Sequence, residues 1–188
     1  AARDWLRQEG VTVVPHAETP PAAYRTPDGA AFAEKPEHMT HLRGNILVPK
    51  THPRIAFRGG IDTLEAELLL CAQAADGPLR RTLCAMLDFV RSLIRADVLD
   101  EPVQTVRFLG LDDDGLREHS HHPEREEGQP HFLPAPDDPP ILLRLNRLRT
   151  VVRQTELLAC HAFSRPDGTL ARPDLVRALN RLSSLCWI

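Results

Sequence analysis

The chain has 188 residues, of which 42% are hydrophobic and 26% charged, and its formal net charge is −3. These values are typical of one globular core with room for a small appendage, and the charge excludes a global attraction to nucleic acid or an acidic membrane. No apolar run is long enough to span a bilayer, and no signal peptide is visible. Because the chain lacks an initial Met and ends within a helical pattern, we expect both ends to continue in a longer protein.

The N-terminal part predicts little regular structure. Residues 1–8 are typical of a short helix and residues 11–14 of a short strand. Residues 15–37 contain five prolines and predict a linker rather than a core element. Residues 39–50 contain short β-like pieces, broken by Arg43-Gly-Asn45.

Helical patterns dominate from Asp62 onward. Apolar residues at spacings of three and four predict helices over 63–75, 79–98 and 141–163. Asp112 is placed to cap a short helix, and Pro173 to begin a last helix. Residues 120–140, rich in His, Pro, Glu and Asp, predict a loop. Several helices with short connections favour an all-α antiparallel helix bundle.

A polar stripe accompanies the apolar seam of the 141–163 helix. Arg149, Arg153 and Glu156 lie at i, i+4 and i+7, so they share one face of the helix. Two fixed cations suit a polyanion such as a triphosphate, although such a stripe is more often a solvated face. Lys50 is one of only two lysines in the chain. Asn180 lies within the last helical pattern, where a satisfied polar core residue is the alternative interpretation.

Neither the cysteines nor the histidines form a standard metal motif. The four cysteines lie in apolar helical patterns without a CxxC pair, and we expect buried, reduced thiols. His119, His121 and His122 could bind a metal, but a solvent-exposed loop cluster is the favoured interpretation. Nucleotide-binding and hydrolase motifs such as Walker A, GxGxxG and GxSxG are absent.

Several longer stretches resemble a known family, the ATP:corrinoid adenosyltransferases, and within it the ethanolamine-utilisation branch. The similar stretches are Lys35-Pro-Glu-His-Met-Thr-His-Leu42, Pro53-Arg-Ile-Ala-Phe-Arg58, Ile94-Arg-Ala-Asp-Val-Leu-Asp-Glu-Pro102, Leu148-Arg-Thr-Val-Val-Arg-Gln-Thr-Glu156 and residues 172–184. The propanediol-utilisation branch is similar at fewer positions, but in more specific motifs. These are Lys50 placed twelve residues before Asp62, the loop Phe132-Leu-Pro134, the helix from Arg149 to Glu156, and Asn180-Arg-Leu-Ser183.

The resemblance implies a five-helix bundle over residues 38–188, whose last helix we expect to be incomplete, preceded by an N-terminal helix-strand piece and linker over residues 1–37. It also implies a homotrimer with ATP and corrinoid bound between subunits. Carried over residue by residue, the ATP contacts are Lys50, Arg149, Arg153, Glu156 and Asn180. Asp62 and Arg149 form an ion pair across the interface, and Phe132 faces the lower side of the corrin.

The implied reaction transfers the 5′-deoxyadenosyl group of ATP to cob(I)alamin and releases triphosphate. Arg153 and Mg²⁺ stabilise the charge that moves onto the leaving group, and Phe132 displaces the lower axial ligand so that Co(II) is more easily reduced. The resemblance also implies a cytoplasmic enzyme, associated with a bacterial microcompartment and served by a flavoprotein reductase.

The chain departs from the family pattern at several points. A His and Cys-rich metal motif of the ethanolamine branch is absent, although His16 lies near its expected place, and we therefore assign no metal ligands. Gln154 and Leu157 stand where the propanediol branch has arginine, and residues 40–45 replace its phosphate loop. A non-catalytic corrinoid or nucleotide carrier on the same bundle is thus the alternative function. A third interpretation is a di-metal helix bundle, but the chain lacks the Glu-x-x-His pairs on two helices that such a site requires.

Overall fold

The described part of the chain is mostly helical, with a small sheet at its N-terminal end. The computed structural model describes residues 23–126, 128, 130–131 and 133–188. The strands are β1 (Tyr24–Arg25), β2 (Ala31–Phe32), β3 (Met39–Arg43) and β4 (Ile46–Pro49). The helices are α1 (Pro53–Gln73), α2 (Gly77–Leu99), α3 (Asp113–His121), α4 (Pro123–Glu126), α5 (Pro140–Phe163) and α6 (Pro173–Leu185). The predicted all-α fold is therefore confirmed only in part.

The sheet corrects the prediction of a linker over residues 15–37. Its strand order is β2-β1-β4-β3, with antiparallel outer pairs and a parallel β1–β4 pair. The residues Pro27-Asp-Gly29 form the hairpin turn that joins β1 to β2. Gly29 adopts a φ of 94°, and Thr26 N–H donates to Ala30 O at 2.9 Å. The helix and strand predicted over residues 1–8 and 11–14 lie outside the described residues.

Helix α1 begins at Pro53, ten residues before the predicted start at 63. Pro53 suits a first helical turn, and the His52 side chain caps it by accepting from Arg54 N–H at 3.1 Å. Gly59 and Gly60 look like a helix break in the sequence, but they lie inside the helix. A Cβ at Gly60 would come within 2.8 Å of Leu158 Cδ1, so this glycine permits close approach of α1 and α5.

The other long helices agree with their predictions to within two residues. Asp100 ends α2 in the left-handed conformation with φ 58°, and the Asp112 side chain caps α3 by accepting from Gly115 N–H at 2.9 Å. Helices α5 and α6 begin at Pro140 and Pro173. The loop predicted over 120–140 is wrong at its start, because His119 to His121 belong to α3 and residues 123–126 form α4.

The core is formed by α1, which packs against both α2 and α5, and by α6, which packs on α5. Helices α1 and α5 run antiparallel, since Thr155 Oγ1 lies 3.2 Å from Gly60 O while Arg147 pairs with Glu67 further along. Of the four residues predicted for the apolar seam of α5, Leu148, Val152 and Ala159 are fully buried and Leu145 is half-buried. Among the described helices, none is both long enough and apolar enough to cross a membrane.

The cysteine prediction is wrong at one position. All four thiols are free, and Cys84 is exposed because it occupies the solvent side of α2. Cys71 is buried, and Cys160 and Cys186 are half-buried. Removal from water raises the pKa of the Cys71 and Cys160 thiols and raises the pKa of Cys186 to about 12.

Candidate functional site

A cleft of about 320 Å³ opens between α5 and α6 on the face that carries the predicted cationic stripe. Helix α5 contributes Arg149 and Arg153 to its lining, and α6 contributes Asn180, Ser183 and Ser184. Arg149 is half-buried and Arg153 exposed, so both guanidinium groups remain available to a bound molecule. The two arginines and Asn180, which are separated in sequence, are thus brought together by the packing of α6 on α5.

Asn180 is tied to the stripe by a hydrogen bond. Its Nδ2 donates to Glu156 Oε1 at 3.0 Å, and its Oδ1 accepts from Arg181 Nη1 at 2.7 Å. Asn180 is exposed, which corrects the alternative interpretation of a polar core residue. Glu156 therefore sets the orientation of the amide beside the two arginines, and its own charge is engaged outside the lining of the cleft.

The opposite side of the cleft comes from α3 and from the segment before α5. Ser120 and His121 of α3 line it, together with His131, Leu133 and Trp187. The rings of His131 and Trp187 meet edge to face, with centroids 4.7 Å apart. Phe132 lies outside the described residues. No carboxylate lines the cleft within the described part of the chain, so its fixed charge is positive.

A second groove of about 550 Å³ adjoins this cleft. The two share Leu133, Arg149 and Trp187 as a common wall. Apart from that wall the groove is mainly apolar, with Leu142 and Leu145 among its lining residues. One face of the chain therefore offers a cationic space and an apolar space side by side.

Lys50 and Asp62 do not line the cleft. Lys50 is exposed in the turn after β4, and Asp62 is exposed on α1. Within the described residues of one chain, Asp62 and Arg149 form no ion pair. The resemblance places that pair between subunits, so it stays a prediction. His16 lies outside the described residues.

The two departures on α5 lie away from the cleft. Gln154 and Leu157 are exposed, Leu157 with 69% of its surface, and neither belongs to the lining. Arg153 precedes Gln154 by one residue, which turns the two side chains about 100° apart on the helix. The positive charge of the cleft in one chain therefore does not depend on positions 154 and 157.

The three histidines of the run have different surroundings. His119 Nε2 lies 3.6 Å from Glu126 Oε2, whereas His121 faces the cleft and His122 follows the end of α3. No group of three His, Cys, Asp or Glu side chains in the described ranges is arranged to hold a metal ion.

The sequence interpretation missed a buried ionic cluster at the start of α1. Asp97 is fully buried in α2 and accepts from Arg54 Nε and Nη2 at 3.0 and 2.5 Å, and from Arg58 Nε at 2.7 Å. The sequence does contain a signal for this cluster. Asp97 lies four residues after Leu93 and so shares the buried face of α2, and Arg54 and Arg58 lie four residues apart on one face of α1. The cluster fixes the first turns of α1, and hence the turn that carries Lys50, against α2.

A second cluster holds the start of α6. Arg172 donates to both carboxylate oxygens of Asp174, at 2.9 and 2.8 Å, and to Ala96 O and Glu101 O at the end of α2. The Arg172 guanidinium lowers the pKa of Asp174 below its usual range, since its hydrogen bonds favour the charged carboxylate. The Arg172–Asp174 cluster therefore sets the position of α6, which carries Asn180 into the cleft.

Comparison with known proteins identifies the family. Residues 31–188 match the profile of the family described as cobalamin adenosyltransferase. The chain is 34% identical over 155 residues to the corrinoid adenosyltransferase EutT of Salmonella typhimurium, and 35% identical over 157 residues to EutT of Escherichia coli. These matches cover 82% and 83% of this chain, and the chain spans 58% of the length of each relative.

A solved structure has a similar fold. It is a variant of a PduO-type ATP:corrinoid adenosyltransferase from Lactobacillus reuteri complexed with cobalamin and ATP. The TM-score is 0.60 at 17% sequence identity, and the match covers 80% of this chain and 85% of the other. The likeness confirms the bundle as an adenosyltransferase-type fold.

Proposed function

Because the chain belongs to the cobalamin adenosyltransferase family, we propose that it transfers the 5′-deoxyadenosyl group of ATP to the cobalt of cob(I)alamin. The observation that carries this proposal is the cleft where Arg149, Arg153 and Asn180 converge without a lining carboxylate. Such a site suits the triphosphate of ATP, because guanidinium groups bind phosphate oxygens with paired, charge-assisted hydrogen bonds. The adjoining apolar groove suits a large, mostly apolar corrin ring.

In the proposed reaction the electron pair of Co(I) forms a bond to C5′ of ATP. The C5′–O bond breaks, and its electron pair leaves with triphosphate, so no protein base is required. Negative charge increases on the leaving group, and positioned cations lower the barrier most when they contact that group. We assign this role to Arg153, with Arg149 beside it and Asn180 held by Glu156. Mg²⁺ bound to the phosphate oxygens would add to the same effect.

We propose that Lys50 and Asp62 act at the site of a neighbouring subunit. Both are exposed and lie outside the cleft of their own chain. The face of α1 that carries Asp62 also exposes Leu69 and Leu70, with 50% and 47% of their surfaces accessible. Exposed leucines around one carboxylate suit a subunit interface. We therefore assign to a homotrimer the Asp62–Arg149 pair and the contact of Lys50 with ATP.

Phe132 is assigned to the lower face of the corrin, since its neighbour Leu133 lies on the wall that the cleft shares with the apolar groove proposed for the corrin. Phe132→Ala should slow adenosylation strongly when cob(II)alamin and a mild reductant are supplied, and little when cob(I)alamin is supplied. Equal losses under both conditions would contradict this role.

We further propose a cytoplasmic enzyme of ethanolamine utilisation, associated with a microcompartment and served by a flavoprotein reductase. Residues 1–37 would form its N-terminal extension and residues 38–188 its bundle domain.

The assay for these residue roles follows adenosylcobalamin formation from ATP and chemically reduced cobalamin. Arg153→Ala should lower the turnover rate by a factor of about 10² to 10³, as expected for loss of a donor to the transition state. The matched control is Arg144→Ala, an exposed arginine of the same helix outside the cleft, which should retain activity. Tight corrinoid binding by the wild-type chain without turnover would favour the carrier function instead.

A further inference from the structure

Helix α3 lines the cleft with Ser120 and His121, and neither residue is among the proposed ATP or corrinoid contacts. Ser120 is buried, and its Oγ lies 2.9 Å from Ser184 Oγ on α6. This hydroxyl pair holds α3 against α6 at the cleft. His121 follows directly on α3 and lines the same space as Arg149 and Arg153. The helix contact therefore places His121 in the same lining as the two arginines of α5.

Each histidine of this region has a different environment. His119 is turned to Glu126 at 3.6 Å, His122 follows the end of α3 outside the cleft, and the ring of His131 packs against Trp187. His121 is exposed and lines the cleft from α3. Of the three histidines at positions 119, 121 and 122, His121 alone therefore lies where a bound anion would be.

We propose that His121 is an additional ligand of the triphosphate, which it contacts from the α3 side while Arg149 and Arg153 contact it from α5. This inference rests on the proposed function. An imidazole donates at least one N–H hydrogen bond in either protonation state, and phosphate oxygens are strong acceptors. The charged groups lining the cleft from the other elements are the two arginines, and no carboxylate there competes for the imidazole within the described residues.

The same geometry gives His121 a part in the reaction. Charge on the triphosphate increases as the C5′–O bond breaks, so a donor on the α3 side is used more strongly in the transition state than before it. The Ser120–Ser184 contact keeps that donor in place and thereby acts as a positioning element.

The test measures binding of inorganic tripolyphosphate by calorimetry, so that it does not depend on turnover. His121→Ala should weaken tripolyphosphate binding about tenfold, in keeping with loss of a hydrogen bond to a charged group. His122→Ala is the matched control and should bind as the wild type does. Binding of cobalamin by His121→Ala should be unchanged, which a general distortion of the cleft would not allow.

Three outcomes separate this inference from the function on which it rests. Tripolyphosphate binding that is lost in Arg153→Ala but unchanged in His121→Ala overturns the role of His121 and leaves the proposed function intact. Weakened cobalamin binding with unchanged tripolyphosphate binding in His121→Ala also overturns that role. A wild-type chain that binds tripolyphosphate through His121 yet forms no adenosylcobalamin supports the ligand role and overturns the proposed enzyme activity.

Discussion

Replacement of Asp97 by Asn tests the buried ionic cluster that fixes the start of α1. The carboxylate is fully buried, while the side chains of Arg54 and Arg58 keep 19% and 17% of their surface accessible. Removing one member of a buried ion pair costs about 3–5 kcal/mol, because the remaining charge is left uncompensated. Since both arginines retain some contact with water, we expect the lower end, about 3 kcal/mol, for Asp97→Asn.

The measurement is the free energy of unfolding from urea titration, with the melting temperature as a second reading. A loss of about 3 kcal/mol should lower Tm by about 10 °C in a chain of this size. The control is Glu101→Gln, which removes a 3.3 Å pair to Arg95 between exposed side chains and should cost at most about 1 kcal/mol. An Asp97→Asn variant within about 1 kcal/mol of wild type would refute the reasoning.

Three further outcomes follow from packing and burial. Gly60→Ala should gain less stability than Gly59→Ala, because its methyl group would lie 2.8 Å from Leu158 Cδ1 and the end of that side chain must move. Gly59→Ala meets open space and should stabilise the fold by about 0.5–1 kcal/mol; equal gains in urea titration would contradict the close packing of α1 on α5. Cys84 should react with a thiol reagent at pH 8 well before the other three thiols, whose pKa values burial raises; equal labelling would contradict the packing. The Arg172 hydrogen bonds lower the pKa of Asp174, so their contribution is present above about pH 4 and is lost as pH falls through the lower folded value. Asp174→Asn should therefore reduce stability at pH 7 and flatten its acid dependence in urea titrations; an unchanged slope would count against the pair.

The helices were predictable where the information is local. The apolar spacing of α2 and α5 repeats over many residues, and Asp112 and Pro173 mark helix starts through their own side chains. The start of α1 was not predictable in this way. Gly60 is accommodated there because α5 lies against it, which is a tertiary contact across 95 residues. Strands of two residues, such as β1 and β2, are too short to show a periodic pattern.

The candidate site was likewise predictable only where the information is local to one helix. The stripe of Arg149 and Arg153 was visible because i and i+4 on one helix must share a face. Its approach to Asn180 required the packing of α6 on α5, which spacing within one helix does not encode. The α3 side of the cleft was missed for a related reason: residues 120–140 looked like a loop, and the contact of Ser120 with Ser184 joins positions 64 residues apart. Asp97 was missed because its arginine partners lie about forty residues earlier in the chain.

The most direct measurement of the central claim is the stoichiometry of product formation by the wild-type chain. Purified protein is supplied with ATP, Mg²⁺ and chemically reduced cob(I)alamin, and adenosylcobalamin and inorganic triphosphate are both quantified over time. The proposed reaction predicts that the two products appear together in a one-to-one ratio and that both depend on Arg153. Absence of both products from a folded chain that binds ATP and cobalamin would contradict the assignment of this cleft as an adenosyltransferase site.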